Sequence, residues 1–211
     1  MGLRLRFSVL AFGLVFAAQL MAPVDAEQRF TKQEADRCEG KLGRITNFAN
    51  AADKQKTRAA AAAPQTTQLT DTELTSYLRY TIKDQVPTGI VDPMLSAIGD
   101  GRVKGGAVID LDAVRKQKQR GWTDPLSYMS GRLPLTASGV LITQNGVGRF
   151  QLESAEISGI SIPKSLVQEL LSYYSRTPEK PSGISMDDPF DLPARIKEIK
   201  VGRGEAVVVQ Q

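Results

Sequence analysis

The 211-residue chain contains no histidine and a single cysteine. Without histidine there is no Ser-His-Asp or Cys-His catalysis, and the commonest transition-metal ligand is missing. A zinc site would need an unusual shell made of carboxylates. Cys38 alone cannot close an internal disulfide. It falls in a polar stretch where nothing obvious buries it. It reads as an incidental free thiol, with intermolecular pairing in an oxidising compartment as the alternative. Excess charge is also modest: a net +4 is too mild to imply nucleic acid.

Long apolar runs are absent but for one, Phe7 to Met21. Arg4 and Arg6 precede it, and Val24-Asp25-Ala26 follows as a plausible cleavage point. The pattern predicts a cleaved secretory signal over 1–26. Glu27, not cysteine, comes next, which argues against a lipid anchor. The expected location is therefore the periplasm or the exterior. Residues 27–66 read as a polar N-terminal arm or linker. It has room for a short helix around Gln33 to Asn50, with Leu42, Ile45, Phe48 and Ala49 on one side. Pro64 breaks an alanine run and marks a domain boundary, leaving 67–211 as the folded unit.

That unit opens on "LTDTELTSYLRYTIKD". Thr70 and Glu73 form a capping box, and Leu69 with Leu74 the hydrophobic staple. Leu74, Tyr77, Leu78, Thr81 and Ile82 recur at helical spacing, and Pro87 is the expected stop. The period then changes to two. Gly89 to Ile98 and Arg102 to Leu111 are strands joined at Gly99-Asp100-Gly101, with Val103, Ala107, Ile109 and Leu111 on one face. Asn145-Gly146 predicts a two-residue type I′ hairpin. That loop pairs Gln144 with Val147, Leu141 with Phe150, and Gly139 with Leu152, so Ala137, Leu141, Phe150 and Leu152 share a face. A second helix starts at Pro163 and carries Leu166, Val167, Leu170, Leu171 and Tyr174. The last hairpin joins two strands at Gly202-Arg203-Gly204, the second being "EAVVV". A terminal strand is expected at a sheet edge.

Hairpin-linked strands imply an antiparallel sheet, and two helices can cover one face of it, an α+β arrangement. Glycines 105, 106, 139 and 148 allow strong bending.

Polar constellations are weak. Asp187, Asp188 and Asp191 lack calcium-loop spacing and suit turns. Asp110 and Asp112 alternate onto an outer face. "GDGRVKGG" lacks the lysine-hydroxyl pair of a phosphate loop. Arg115, Lys116, Lys118 and Arg120, with Trp122 close behind, suit either an anionic membrane surface or a solvated helix face. No catalytic set emerges, so a non-enzymatic protein without cofactor or metal is expected.

The stretches "LTDTELTSYLRY", "GGAVIDLDAV", "SGISIPKSLVQELLSYY" and "FDLPARIKEIKVGRGEAVVV" together carry a resemblance. From Leu69 to Gln210 the chain resembles the bacterial tubular lipid-binding (TULIP-like) superfamily, and within it the LmeA-like envelope phospholipid-binding proteins. Leu192-Pro193, Ile196, Ile199, Val201 and Gly204 fit the terminal hairpin of that family. The resemblance implies a highly curved antiparallel sheet of about six strands, a half-barrel wrapped around one long and one shorter helix. It also implies a protein that handles lipid in an apolar groove. Leu74, Tyr77, Leu78, Ile82, Leu141, Phe150, Leu152, Leu166, Leu170, Ile199, Val201 and Val207 are the expected lining. Arg115, Lys116, Lys118, Arg120 and Trp122 would meet headgroups or an anionic membrane surface. The alternative is an envelope scaffold or assembly module with a filled core.

Overall fold

A computed structural model describes residues 30–54, 63–113 and 130–211. The expected signal at 1–26 and the basic stretch Arg115 to Trp122 lie outside the described residues.

The first element is a helix, α1 (Lys32–Lys54), of 23 residues. The Thr31 hydroxyl caps it by accepting the Glu34 N–H at 3.2 Å. Ala35, Cys38, Ile45 and Ala49 are buried along it, with Leu42 partly so. Their spacing of three and four residues makes a single narrow stripe. This corrects the reading of 27–66 as an arm: Lys32–Lys54 within it is the longest helix among the described residues. It also corrects the reading of Cys38, which is 0% exposed.

The stripe lies over a small sheet. Strand β1 (Gln65–Thr70) was not foreseen, and the expected domain boundary falls inside it. It pairs antiparallel with β9 (Glu205–Gln210), which in turn pairs with β8 (Ile196–Val201). The strand order is β1-β9-β8, so the aliphatic last strand is central and not an edge. Cys38 and Ile45 of α1 meet Leu69, Ile196 and Val208 of the sheet, with Leu74, Tyr77 and Ile199 packed around them. Each such aliphatic contributes about 1.5–3 kcal/mol by leaving water. Gln210 sits in this core at 0% exposure. Its amide nitrogen donates to the carbonyls of Ile45 at 2.9 Å and Ala194 at 2.6 Å, and its oxygen accepts from Gln65 at 3.2 Å. The buried polar group is thereby matched.

Helix α2 (Asp71–Ser76) follows with the expected capping box. It does not run to Pro87. At Tyr77–Thr81 it widens into a π turn, closed by the Ile82 N–H on the Tyr77 carbonyl at 3.1 Å, and Ile82 leaves helical geometry. Its buried side is polar: Glu73, Thr75 and Ser76 are inside, while Leu74, Tyr77, Leu78 and Ile82 are half-exposed. Each buried group has a partner. The Thr75 hydroxyl bonds the Leu95 N–H and carbonyl at 3.0 and 3.1 Å, and Ser76 Oγ accepts from the Thr31 N–H at 3.2 Å. Glu73 accepts from the Thr70 N–H at 2.9 Å and from Lys41 of α1 at 2.7 Å.

The larger, six-stranded sheet is antiparallel and is not closed. Its path is β2 (Ile90–Gly99), β3 (Arg102–Asp110), β4 (Arg132–Gln144), β5 (Val147–Ile157) and β6 (Ile160–Ser161), with β7 (Phe190–Asp191) also on β5. The central hairpin has the expected register, with Leu141 opposite Phe150 and Gly139 opposite Leu152. Asn145 and Gly146 take φ of 52° and 82°, as a type I′ turn requires. Helix α3 (Lys164–Tyr174) lies against β5. The two sheets are joined where turns of the large one meet β8. Thr143 Oγ1 bonds the Ile199 N–H and carbonyl at 2.8 and 3.0 Å, and the Gly146 N–H donates to the Lys197 carbonyl at 3.0 Å.

Two titrations follow. Burial raises the Glu73 pKa, but Lys41 and Thr70 more than offset this, so the carboxyl lies below its ordinary 4.5. Its contribution to stability is present above that value and is lost as pH falls through the lower, folded pKa. Glu73→Ala is expected to cost roughly 3 kcal/mol at neutral pH by urea unfolding, with the gap to wild type narrowing as the solution is acidified. For Cys38, burial first and Glu73 second push the thiol from 9.0 up to about 11. Stability from this group is full below pH 9.0 and is lost as pH rises through about 11. Cys38 should resist a thiol reagent in the native protein at pH 8 and react fully in denaturant; rapid native labelling would contradict its burial.

Candidate functional site

Directly paired residues of an antiparallel sheet point to the same side, so the register defines the faces of the large sheet. One row joins Ile90, Ile109 and Leu133. A second joins Leu95, Gly105, Ala137 and Ala155. A third joins Ala97, Val103, Gly139 and Leu152. Ala107, Leu135 and Ile157 make a fourth, and Leu141 with Phe150 a fifth. The apolar face thus runs unbroken across β2 to β5.

Two bulges keep it so. On β5 the ladder steps from Ser154 to Leu152 while β4 advances by one, leaving Glu153 unpaired. Without that extra residue, Leu152 and Phe150 would fall on the other side from Ala155 and Ile157. On β2 an irregularity between Val91 and Met94 does the same for Ile90 and Leu95. The opposite face carries Arg102, Lys104, Thr136, Ser138, Arg149, Gln151 and Glu156, with Met94, Ile142 and Val147 exposed among them.

Of the apolar face, Ala155 is fully buried, while Leu95, Val103, Ile109, Leu135, Leu141, Phe150 and Leu152 remain half-buried. This differs from the interface beneath α1, where the aliphatics are sealed.

A groove of about 340 Å³ lies where the end of α2 meets the start of β2. Leu78, Val86, Ile90, Val91 and Pro93 give it apolar walls, and Arg79, Tyr80, Lys83 and Asp92 supply polar groups. Ile90 belongs both to the groove and to the apolar face. The β2 bulge shapes the rim: Asp92 takes a left-handed φ of 49°, and Pro93 has no N–H for the ladder. The carbonyls of Pro93 and Asp92 accept from Arg79 Nε and Nη2 at 2.9 and 3.5 Å. The Arg79 guanidinium also sits over the Phe30 ring at 4.6 Å. Among the described residues no carboxylate pairs with Arg79, and Lys83 has no polar partner.

The expected lining residues fall in separate places. Leu74, Tyr77 and Ile199 pack on the core beneath α1, and Val201 is buried at the end of β8. Val207 pairs with Gln68 and Lys200, so alternation turns it to the face of the small sheet opposite Val208. Leu141, Phe150 and Leu152 come together on the apolar face. Leu166 and Leu170 are half-buried on α3, Ile82 is half-buried after the π turn, and Leu78 lines the groove. Arg79 and Lys83 were missed. Their i, i+4 spacing was visible, but their convergence on the β2 bulge was not. Among the described residues no group of three or more Cys, Asp or Glu could hold a metal.

No protein family and no curated protein matches the chain. One solved structure is similar, the crystal structure of a lipopolysaccharide binding protein, at 15% identity and a TM-score of 0.22. The match covers 69% of this chain and 40% of that one, so the chain spans well under half of its length. A superposition so loose carries no argument about function.

Gly139 tests the packing of the apolar face. A Cβ there would overlap the Gln151 carbonyl oxygen and lie 2.6 Å from Phe150 Cζ, whereas Gly105 has nothing within 4 Å. Gly139→Ala should lower the unfolding free energy by about 1–3 kcal/mol. Gly105→Ala, measured beside it in urea, should change it by less.

Proposed function

We propose that the protein is a non-enzymatic lipid-binding protein, exported to the cell envelope, that holds acyl chains on the apolar face of its large sheet. The observation that carries this reading is the continuity of that face across four strands, together with its half-buried state. The absence of histidine removes the usual acid-base group. Acyl chains laid on the aliphatic rows would gain about 0.8 kcal/mol per CH₂ removed from water. In this reading the bulges and strand glycines curve the sheet around its ligand. The competing reading, an envelope scaffold, draws on Met94, Ile142 and Val147, exposed on the opposite face.

The two readings separate by face. Leu135→Glu and Leu152→Glu should each reduce uptake of a fluorescent fatty-acyl probe at least tenfold, while Ile142→Glu leaves it intact. Circular dichroism would confirm folding of each variant. Equal uptake in all three folded variants, or none by wild type with no lipid in native mass spectra, would discard the lipid reading.

A further inference from the structure

We infer that the groove between α2 and β2 is a headgroup site for a singly charged anion, a phosphodiester or carboxylate, whose attached chain continues onto the apolar face at Ile90. The inference rests on the lipid-binding reading for the chain, and on the groove alone for the anion.

Three observations converge. First, the groove holds two cations whose charge is not cancelled by an ion pair. Among the described residues no polar group bonds the Lys83 ammonium and no carboxylate pairs with Arg79. Second, Arg79 is held in place before any ligand arrives. Two backbone carbonyls and the Phe30 ring fix the guanidinium, while donors on its terminal nitrogens stay available. A donor fixed in advance loses little side-chain entropy on binding. Third, Leu78, Val86, Ile90, Val91 and Pro93 line the groove beside the cations, so the chain attached to an anion held there meets apolar surface.

The third charged group sets the selectivity. Asp92 lines the same groove. Two cations and one carboxylate leave a net charge near +1, which suits a monoanion better than a dianion. A phosphodiester meets that condition at neutral pH, and so does a carboxylate; a phosphomonoester carries closer to two charges. The volume of about 340 Å³ lies at the small end of ligand pockets. It accommodates a compact head and the first carbons of a chain. The remainder then passes Ile90 onto the row of Ile109 and Leu133.

The clean variant is Lys83→Gln, because Lys83 has no polar partner among the described residues, whereas Arg79 also braces the β2 bulge. The full chain would be titrated by calorimetry with a short-chain phosphatidylglycerol below its micelle concentration, with a neutral monoacylglycerol, and with inorganic phosphate. The expected result is that Lys83→Gln weakens phosphatidylglycerol about tenfold, the loss typical of one charge-assisted bond, and leaves the monoacylglycerol unchanged. Added salt should weaken only the anionic ligand. If both lipids bind and Lys83→Gln weakens neither, the headgroup site is refuted while the lipid reading stands. If neither lipid binds but phosphate does, and loses affinity in Lys83→Gln, the groove takes free anions and the lipid reading falls. If no anionic ligand binds wild type, the groove is not an anion site.

Discussion

The Glu73 carboxylate is the joint on which the sealed half of the protein depends. It closes the capping box of α2 through the Thr70 N–H and holds Lys41 of α1 at 2.7 Å. Thr70 is also the last residue of β1, so one carboxylate ties the sheet edge, the short helix and the long helix together. A buried ion pair adds little net stability over an apolar pair, but a broken one is costly. Its effect is to fix register. Sliding α1 by one residue separates Lys41 from Glu73 and turns Cys38 and Ile45 away from Leu69 and Val208.

From that joint the molecule divides into two halves with different treatment of apolar surface. Beneath α1 the aliphatics are covered and polar groups are matched one by one, as at Gln210 and Ser76. Across the large sheet an equally continuous set of aliphatics is left half-open. The halves meet at hydrogen bonds: Thr143 to Ile199, Gly146 to Lys197, Gly101 to Val201 and Thr75 to Leu95. Such a seam fixes the end of the large sheet nearest its turns and leaves its far end free of the small one. The groove beside Arg79 sits where α2 meets the edge strand of that large sheet, so cationic side chains border the open apolar surface.

What could be read from the sequence was local. The Asn145-Gly146 turn and its register needed only a dozen neighbouring residues, and the two strands flanking Gly99-Asp100-Gly101 likewise. Helix α1 was underestimated because its buried stripe is narrow and built partly from alanine and cysteine, which add little to an apolar pattern. Strand β1, "QTTQLT", carries one strong apolar residue, Leu69; it is a strand because β9 pairs with it from far along the chain. The stop of α2 at Thr81 was hidden because the stripe from Leu74 to Ile82 continues past it, while the buried side of the helix turned out to be the polar one. The groove needed two distant features in register, an i, i+4 cation pair and a bulge at Asp92-Pro93.

The central place of β9 in the small sheet has a consequence for how the chain folds. Gln65 and Gln210, which pair across it, are 145 residues apart in sequence. The meander from β2 to β5 and the β8-β9 hairpin can form from near neighbours, but β1 cannot complete the small sheet until both ends of this span meet. Closing so long a loop is slow. Topology therefore makes the pairing of β1 with β9 the costliest closure in the described sheets. Until β1 pairs with β9, the buried stripe of α1 lacks the assembled surface of Leu69, Ile196 and Val208, and its contacts with α2 must hold it.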